Sequence, residues 1–387
     1  MQPGDRIHAM DNLRALAMLA GVVFHAALAH SPLMHMIWPP ADAGRSVFVD
    51  AVAWFLHTFR MPLFFVVAGY FAALLVARRG IGGLFRNRCM RVLLPLLLFL
   101  PVVLSSMHWL TVDAAANAMH PSPALAWIRG YIDEHGALPS APGWAHLWFL
   151  FYLLLFTVLV WVVSALELGR IGNRIANLHP AWLAAVVPLL LAPALASIGI
   201  PWPAPEFVIP ALWALAFFGI YFALGYQLFH RIDMLERLRP LSPILLIAAL
   251  AAYALLFWST DGFAANRPAP LHHFLHALLE ACAGFWMTLW CLLAARRWLA
   301  GRSATMRWLA DASYWVYLVH LPLLFAIQYR LLDLQMHWSA KFAIAWVSTL
   351  ALSFASYQLL VRHTPLGRLL NGKRSHARHQ EISANPA

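Results

Sequence analysis

The chain has 387 residues, 62% of them hydrophobic and only 11% of the Asp, Glu, Lys and Arg type, with a mean hydropathy of +0.68. A soluble domain carries about 25% charged residues, so a soluble enzyme or a nucleic-acid-binding protein is excluded, and an all-α, polytopic integral membrane protein is expected. The formal net charge of +11 is almost wholly arginine, since Lys341 and Lys373 are the only lysines; in a membrane protein that excess first reports topology, because Lys and Arg accumulate in cytoplasmic loops.

A crossing of the lipid bilayer needs about 20 mostly apolar residues, and lipid forbids unpaired backbone, so each crossing must be helical. Ten such segments follow one another, at 12–31, 47–77, 91–111, 145–164, 181–199, 208–228, 242–259, 272–295, 306–327 and 340–361. Arg6, the apolar run after it and Ala27-Leu28-Ala29 have the outline of a signal peptide; the segment is nevertheless kept here as the first span. The second span is interrupted at Pro62, and the loop 112–144 holds a short helix at about 124–133. Residues 1–371 are expected to form one transmembrane domain, and the polar residues 372–387 a disordered cytoplasmic tail. With the N-terminus inside, 21 Lys and Arg residues fall inside and five outside (Arg45, Arg129, Arg267, Arg330 and Lys341), while Arg60 lies within a span. That split predicts ten helices with both termini cytoplasmic. Cys89, Cys282 and Cys291 have no metal-type spacing, and no disulfide framework is expected.

The first span carries Arg14 and His25. Eleven positions at about 100° each bring the two side chains back to within about 20° of each other, some 16 Å apart along one helix face. Ionisable groups inside a membrane are functional suspects, but a snorkelling arginine and a histidine bonded to a neighbouring helix would look the same. In FRMPLFFVVAGYF, residues 59–71, Arg60 stands beside Pro62. It faces either a cavity holding a carbonyl or an anion, or the membrane boundary. The stretch RRGIGGLFRNRCMRVLLP, residues 78–95, sets five arginines among three glycines, as a phosphate clamp or as a topogenic loop.

Further along, AHLWFL places His146 and Trp148 at the outer entrance of the fourth span; an aromatic belt accounts for the tryptophan but not for the histidine. His276 and Glu280 share one face of the eighth span, so the carboxylate can orient the histidine. In SYWVYLVHLP, residues 313–322, Ser313, Tyr317 and His320 share a face in the outer half. Several histidines and one arginine thus converge on the outer half, while the phosphate-type arginines sit at the inner side. No GxSxG, zinc, coiled-coil or P-loop signal accompanies them.

Arg14 and His25 with ten residues between them, Arg88-Cys-Met-Arg91 and SYWVYLVHLP together resemble the motifs of the acyltransferase-3 family of polytopic membrane acyltransferases, over essentially the whole chain. FRMPLFFVVAGYF, HLWFL and the short tail most resemble the branch that acylates osmoregulated periplasmic glucans. Where the family has a Ser-Gly pair this chain has Ala68-Gly69, so no hydroxyl is available at position 68. The resemblance implies transfer of a succinyl or acetyl group from cytoplasmic acyl-CoA to a glucan hydroxyl, in the bacterial inner membrane and without a metal. No esterase-like domain is fused to the chain, which implies direct transfer. On this reading Arg88, Arg91, Arg86 and Arg14 hold the CoA phosphates, and the pantetheine arm follows the Arg14–His25 stripe. His25, Arg60 and Arg14 form the catalytic set, with His25 as general base and Arg60 stabilising the oxyanion. His146, Trp148, Tyr317, His320 and Glu280 then face the acceptor. The competing class is an exporter whose polar groups line a passage, although no paired pattern of broken helices supports it. A sensor or scaffold would not need His25 at all.

Overall fold

A chain this apolar satisfies its backbone inside a bilayer only by coiling every crossing segment. The computed structural model, which describes residues 3–139, 142–166, 179–231, 233–263, 269–301 and 303–371, is helical throughout, with no strand among those residues. In chain order the helices are α1 (Pro3–Leu28), α2 (Val47–Arg88), α3 (Leu94–Asn117), α4 (Pro123–His135), α5 (Trp148–Ala165), α6 (Pro180–Ala196) and α7 (Leu212–His230). They continue with α8 (Asp233–Leu238), α9 (Ser242–Ser259), α10 (Pro270–Trp298), α11 (Ala304–Leu331), α12 (Trp338–Ser356) and α13 (Pro365–Asn371).

Eight helical runs among the described residues are long and apolar enough to cross a membrane, which makes this a multi-pass membrane protein. One of them, Val47–Asn117, is 71 residues long. At 1.5 Å per residue it would extend about 107 Å, several times a hydrocarbon core of about 30 Å, so it holds two of the expected spans. The chain doubles back between them: Arg88 Nη2 donates to the carbonyl of Ala68, twenty residues earlier, at 3.4 Å. Helix α6, the counterpart of the expected span 181–199, has only 17 residues and two internal prolines, and is too short to meet the length of the other eight. The helix expected near 124–133 is α4, capped by the Ser122 hydroxyl. Arg170, Arg174, Arg267, Arg302, Lys373, Arg374 and Arg378, on which part of the topology rests, lie outside the described residues, as does the tail 372–387.

Pro62 does not interrupt α2; the break falls at Gly80, whose φ of +66° an L side chain rarely adopts. Proline has no N–H to give the carbonyl four residues back, here that of Thr58. Gly284 of α10 fits against that carbonyl, where a Cβ would sit 2.6 Å from the oxygen. A similar fit joins α2 to α7. A Cβ on Gly69 would come 2.0 Å from the Phe222 carbonyl oxygen, and one on Gly225 1.8 Å from that of Val66. Gly225→Ala should therefore push the two helices apart and cost about 1–3 kcal/mol, read as a lower thermal midpoint in detergent. Gly82→Ala, with nothing within 4 Å of its Cβ position, is the control.

At the centre of the bundle α1 packs on both α2 and α11, and α2 also meets α5, α7 and α10. These neighbours bring the polar residues of distant segments to one place.

Candidate active site

His25 of α1 and His320 of α11 meet ring to ring, with His25 Nδ1 and His320 Nε2 2.9 Å apart. The other nitrogen of His320, Nδ1, lies 2.8 Å from the Tyr317 carbonyl and 3.1 Å from that of Val316. A carbonyl only accepts, so this nitrogen carries the proton, and in a neutral ring Nε2 is then an acceptor. His25 must donate from Nδ1, which leaves the lone pair on its Nε2. A backbone carbonyl on α11 thus sets, through His320, the tautomer of a histidine on α1.

His146 comes from the short 3-10 turn Ala145–Leu147 ahead of α5. It exchanges two hydrogen bonds with Tyr317: its Nε2 donates to the Tyr317 carbonyl at 3.0 Å, and the Tyr317 hydroxyl donates to the His146 carbonyl at 2.7 Å. His57, one turn before Arg60 on α2, donates from Nε2 to the Trp202 carbonyl at 2.9 Å and packs its ring against the indole at 3.7 Å. The Nδ1 atoms of His57 and His146 are sealed from solvent and have no partner. Both are acceptors by the same carbonyl argument.

Arg60 is buried among these rings with no carboxylate paired to it among the described residues. Its guanidinium lies over Phe24 at 4.6 Å from the ring centroid. Its Nη1 occupies the space that a side chain at residue 21 would need, since a Cβ on Gly21 would lie 2.7 Å from it. An unpaired buried guanidinium can meet an anion or a carbonyl developing negative charge.

These groups line one small cavity of about 60 Å³, together with Trp148, Ala204 and Glu206. Ala204 and Glu206 belong to the proline-rich connection between α6 and α7, outside the helices. Glu206 keeps an open side toward solvent, yet the surrounding protein pushes its carboxyl up to about 7 by desolvation. A second, larger cavity of about 490 Å³ lies further toward the N-terminus of α1, lined by Arg14, Arg78, Arg79, Arg88 and Arg91 and by Asp11, Asn87, Asp311 and Tyr314. Met18, Phe64, Phe149 and Tyr317 line both cavities and form a collar between them.

Several expected positions change. Arg86 is exposed and is not among the residues lining the arginine cavity, whereas Arg78 and Arg79 are. Arg14 lines that cavity, bonded to the Ala310 carbonyl and paired with Asp11 at 3.4 Å each, and not the histidine cavity that a reacting role requires. Ser313 faces the arginine cavity and spends its hydroxyl on the Ala310 carbonyl, so it is not in the outer half with His320. Both nitrogens of His320 are taken by protein partners, so it orients its neighbours, while Tyr317 gives its hydroxyl proton to the His146 carbonyl and still lines the cavity. Trp148 is buried in the cavity wall instead of lying in an interfacial belt.

Glu280 is bonded not to His276 but to the Trp202 N–H at 3.2 Å, and is absent from the cavity wall. It acts on the site only through the segment that anchors His57. His57 and Glu206 are additions that reading the sequence missed. The signal for His57 was its i, i+3 spacing from Arg60, which puts both on one face of α2; nothing local marks Glu206.

An arginine-lined cavity that shares part of its wall with a histidine–arginine cavity, within a helical membrane bundle, is a geometry suited to group transfer. An acyltransferase domain of the acyltransferase-3 family matches residues 7–358, and the chain belongs to that family as a membrane O-acyltransferase. It is similar to glucans biosynthesis protein C of Escherichia coli O139:H28 (strain E24377A / ETEC) and of Escherichia coli (strain K12 / DH10B). Each is 27% identical over 390 residues, covering 96% of this chain and 96% of the relative. No solved structure matches the chain.

Proposed function

We propose that the protein moves an acyl group, succinyl or acetyl, from cytoplasmic acyl-CoA to a hydroxyl of a periplasmic glucan, in the bacterial inner membrane. The observation that carries this reading is the pair of cavities meeting at Met18, Phe64, Phe149 and Tyr317. CoA phosphates sit among Arg78, Arg79, Arg88, Arg91 and Arg14, because guanidinium forks match phosphate oxygens. The pantetheine arm passes the collar and delivers the thioester carbonyl to His25 and Arg60.

The acceptor hydroxyl attacks that carbonyl while Nε2 of His25 takes its proton. Arg60 stabilises the oxyanion of the tetrahedral intermediate. As the intermediate collapses the C–S bond breaks, the CoA thiolate takes the proton from His25, and the ester remains on the acceptor. His320 keeps His25 in the tautomer that this cycle requires.

The test is CoA release by purified protein in vesicles, from acetyl-CoA and from succinyl-CoA, with and without a glucan acceptor. Glucan-dependent release with one donor supports the reading and identifies that donor; the absence of release with both donors overturns it. In the same assay Arg88→Ala and Arg91→Ala should each raise KM for acyl-CoA about tenfold or more, the size of a lost charge-assisted contact. Arg86→Ala should stay within about twofold of wild type, since Arg86 does not line the cavity.

A further inference from the structure

The wall of the histidine cavity contains one acid. Among its lining residues Glu206 alone carries a carboxyl group, and it does so at the open side, away from the arginine cavity. Its backbone is held at both ends: the Glu206 N–H donates to the Ala204 carbonyl at 3.0 Å, and its carbonyl accepts from the Trp144 N–H at 2.7 Å. The second bond ties it to the segment that carries His146 two residues later. The same connection reaches His57 through the Trp202 carbonyl. Glu206 is thus fixed in register with both histidines, while no side chain among the described residues bonds to its carboxyl group.

Apart from Nε2 of His25, which the reaction itself uses, the remaining wall offers hydroxyl protons few side-chain acceptors, because the bare Nδ1 atoms of His57 and His146 are sealed from solvent. Arg60 only donates, and the N–H groups of His25, His57, His146 and His320 are already given to protein acceptors. A sugar ring presents adjacent hydroxyls that must donate their protons somewhere, and a carboxylate offers two oxygens with about four lone-pair sites. Bonds from hydroxyl to carboxylate are short and about twice as strong as neutral ones.

We propose that the carboxylate of Glu206 is the acceptor-binding group of this enzyme, taking hydrogen bonds from neighbouring hydroxyls of a neutral sugar and turning a further hydroxyl toward Nε2 of His25. The inference rests on the sugar acceptor of the proposed function and adds the residue that selects it. A fixed negative charge at the mouth also disfavours acceptors that are themselves anionic, so a neutral ring is taken before one that already bears a carboxylate.

The experiment compares wild type, Glu206→Gln and Glu206→Ala with a neutral glucose oligomer as acceptor. It is run at about pH 8, where a carboxyl raised by desolvation is mostly ionised. Acceptor KM, donor KM, hydrolysis of acyl-CoA without acceptor, and thermal midpoint are measured. Expected is a rise in acceptor KM of about tenfold or more for Glu206→Ala and a smaller rise for Glu206→Gln. Donor KM and acceptor-free hydrolysis should stay within about twofold, since neither involves the lost contact. Glu206→Gln should also narrow the preference for a neutral over a succinylated oligomer.

Glucan-dependent wild-type turnover with unchanged acceptor KM in both variants overturns this inference alone. A parallel loss of hydrolysis and thermal midpoint means a structural role and also overturns it. Wild-type turnover indifferent to glucan overturns the acceptor reading, and the inference with it.

Discussion

His25→Ala should lower acyl transfer about a thousandfold, the middle of the range for a positioned general base, with the thermal midpoint almost unchanged. The loss should fall on kcat, because His25 lies in the histidine cavity and not among the arginines of the larger cavity proposed to hold the donor. The hydrogen-bond chain makes a second, graded expectation. In His320→Ala the Nδ1 proton of His25 has lost its acceptor, so both tautomers are populated and the base is less often ready. That should cost about ten- to a hundredfold. His320→Gln, which keeps an acceptor oxygen, should retain more activity than His320→Ala. CoA release measured alongside thermal unfolding checks all three. Full turnover in folded His25→Ala would reduce this histidine to a packing residue.

Arg60 supplies the second large effect. Removing one oxyanion donor from an active site costs about 10²- to 10³-fold in kcat, and Arg60→Ala should fall in that range. Arg60→Lys keeps the charge but loses the planar fork, and should recover only part of it. Donor choice separates two jobs for the guanidinium. If it meets the oxyanion, acetyl and succinyl donors lose rate equally; if it meets the free carboxylate of a succinyl group, only the succinyl donor suffers. Gly21→Ala offers an independent handle, since a methyl group there would displace Arg60 Nη1 without touching its charge.

The helices and much of the arginine-lined cavity were legible because they depend on local rules. Apolar runs of membrane length gave the crossings, and the eleven-residue step from Arg14 to His25 put the two on one face. In the structure each lines one of two successive cavities. Arg88 and Arg91 were readable as a pair, but which of Arg78, Arg79 and Arg86 joined them was not. Gly80 sets that choice by redirecting the chain between Arg79 and Arg86.

Contacts at long separation escaped altogether. Glu280 was matched to His276 four residues away, yet its partner is the backbone of Trp202, 78 positions earlier. Glu206 carries no local pattern, and Met18, Phe64 and Phe149 look like any other lipid-phase residues until two cavities are seen to share them. His320 was recognised as part of the site, but its orienting role depends on which carbonyl its Nδ1 meets, and that is a property of the folded turn.

The collar has an electrical consequence. It is built from a thioether, two phenyl rings and a phenol, with no formal charge. Apolar constrictions resist wetting and so resist ion passage, and a polar chamber stands at each end of this one. Most of a membrane potential would then drop over this short stretch instead of over the full bilayer. Carrying one elementary charge through 100 mV involves about 2.3 kcal/mol. An acyl group ending in a carboxylate would cross that drop as a charge, and an acetyl group would cross it as a neutral body. Such a bottleneck would couple the delivery of one kind of donor, and not the other, to the energised state of the cell.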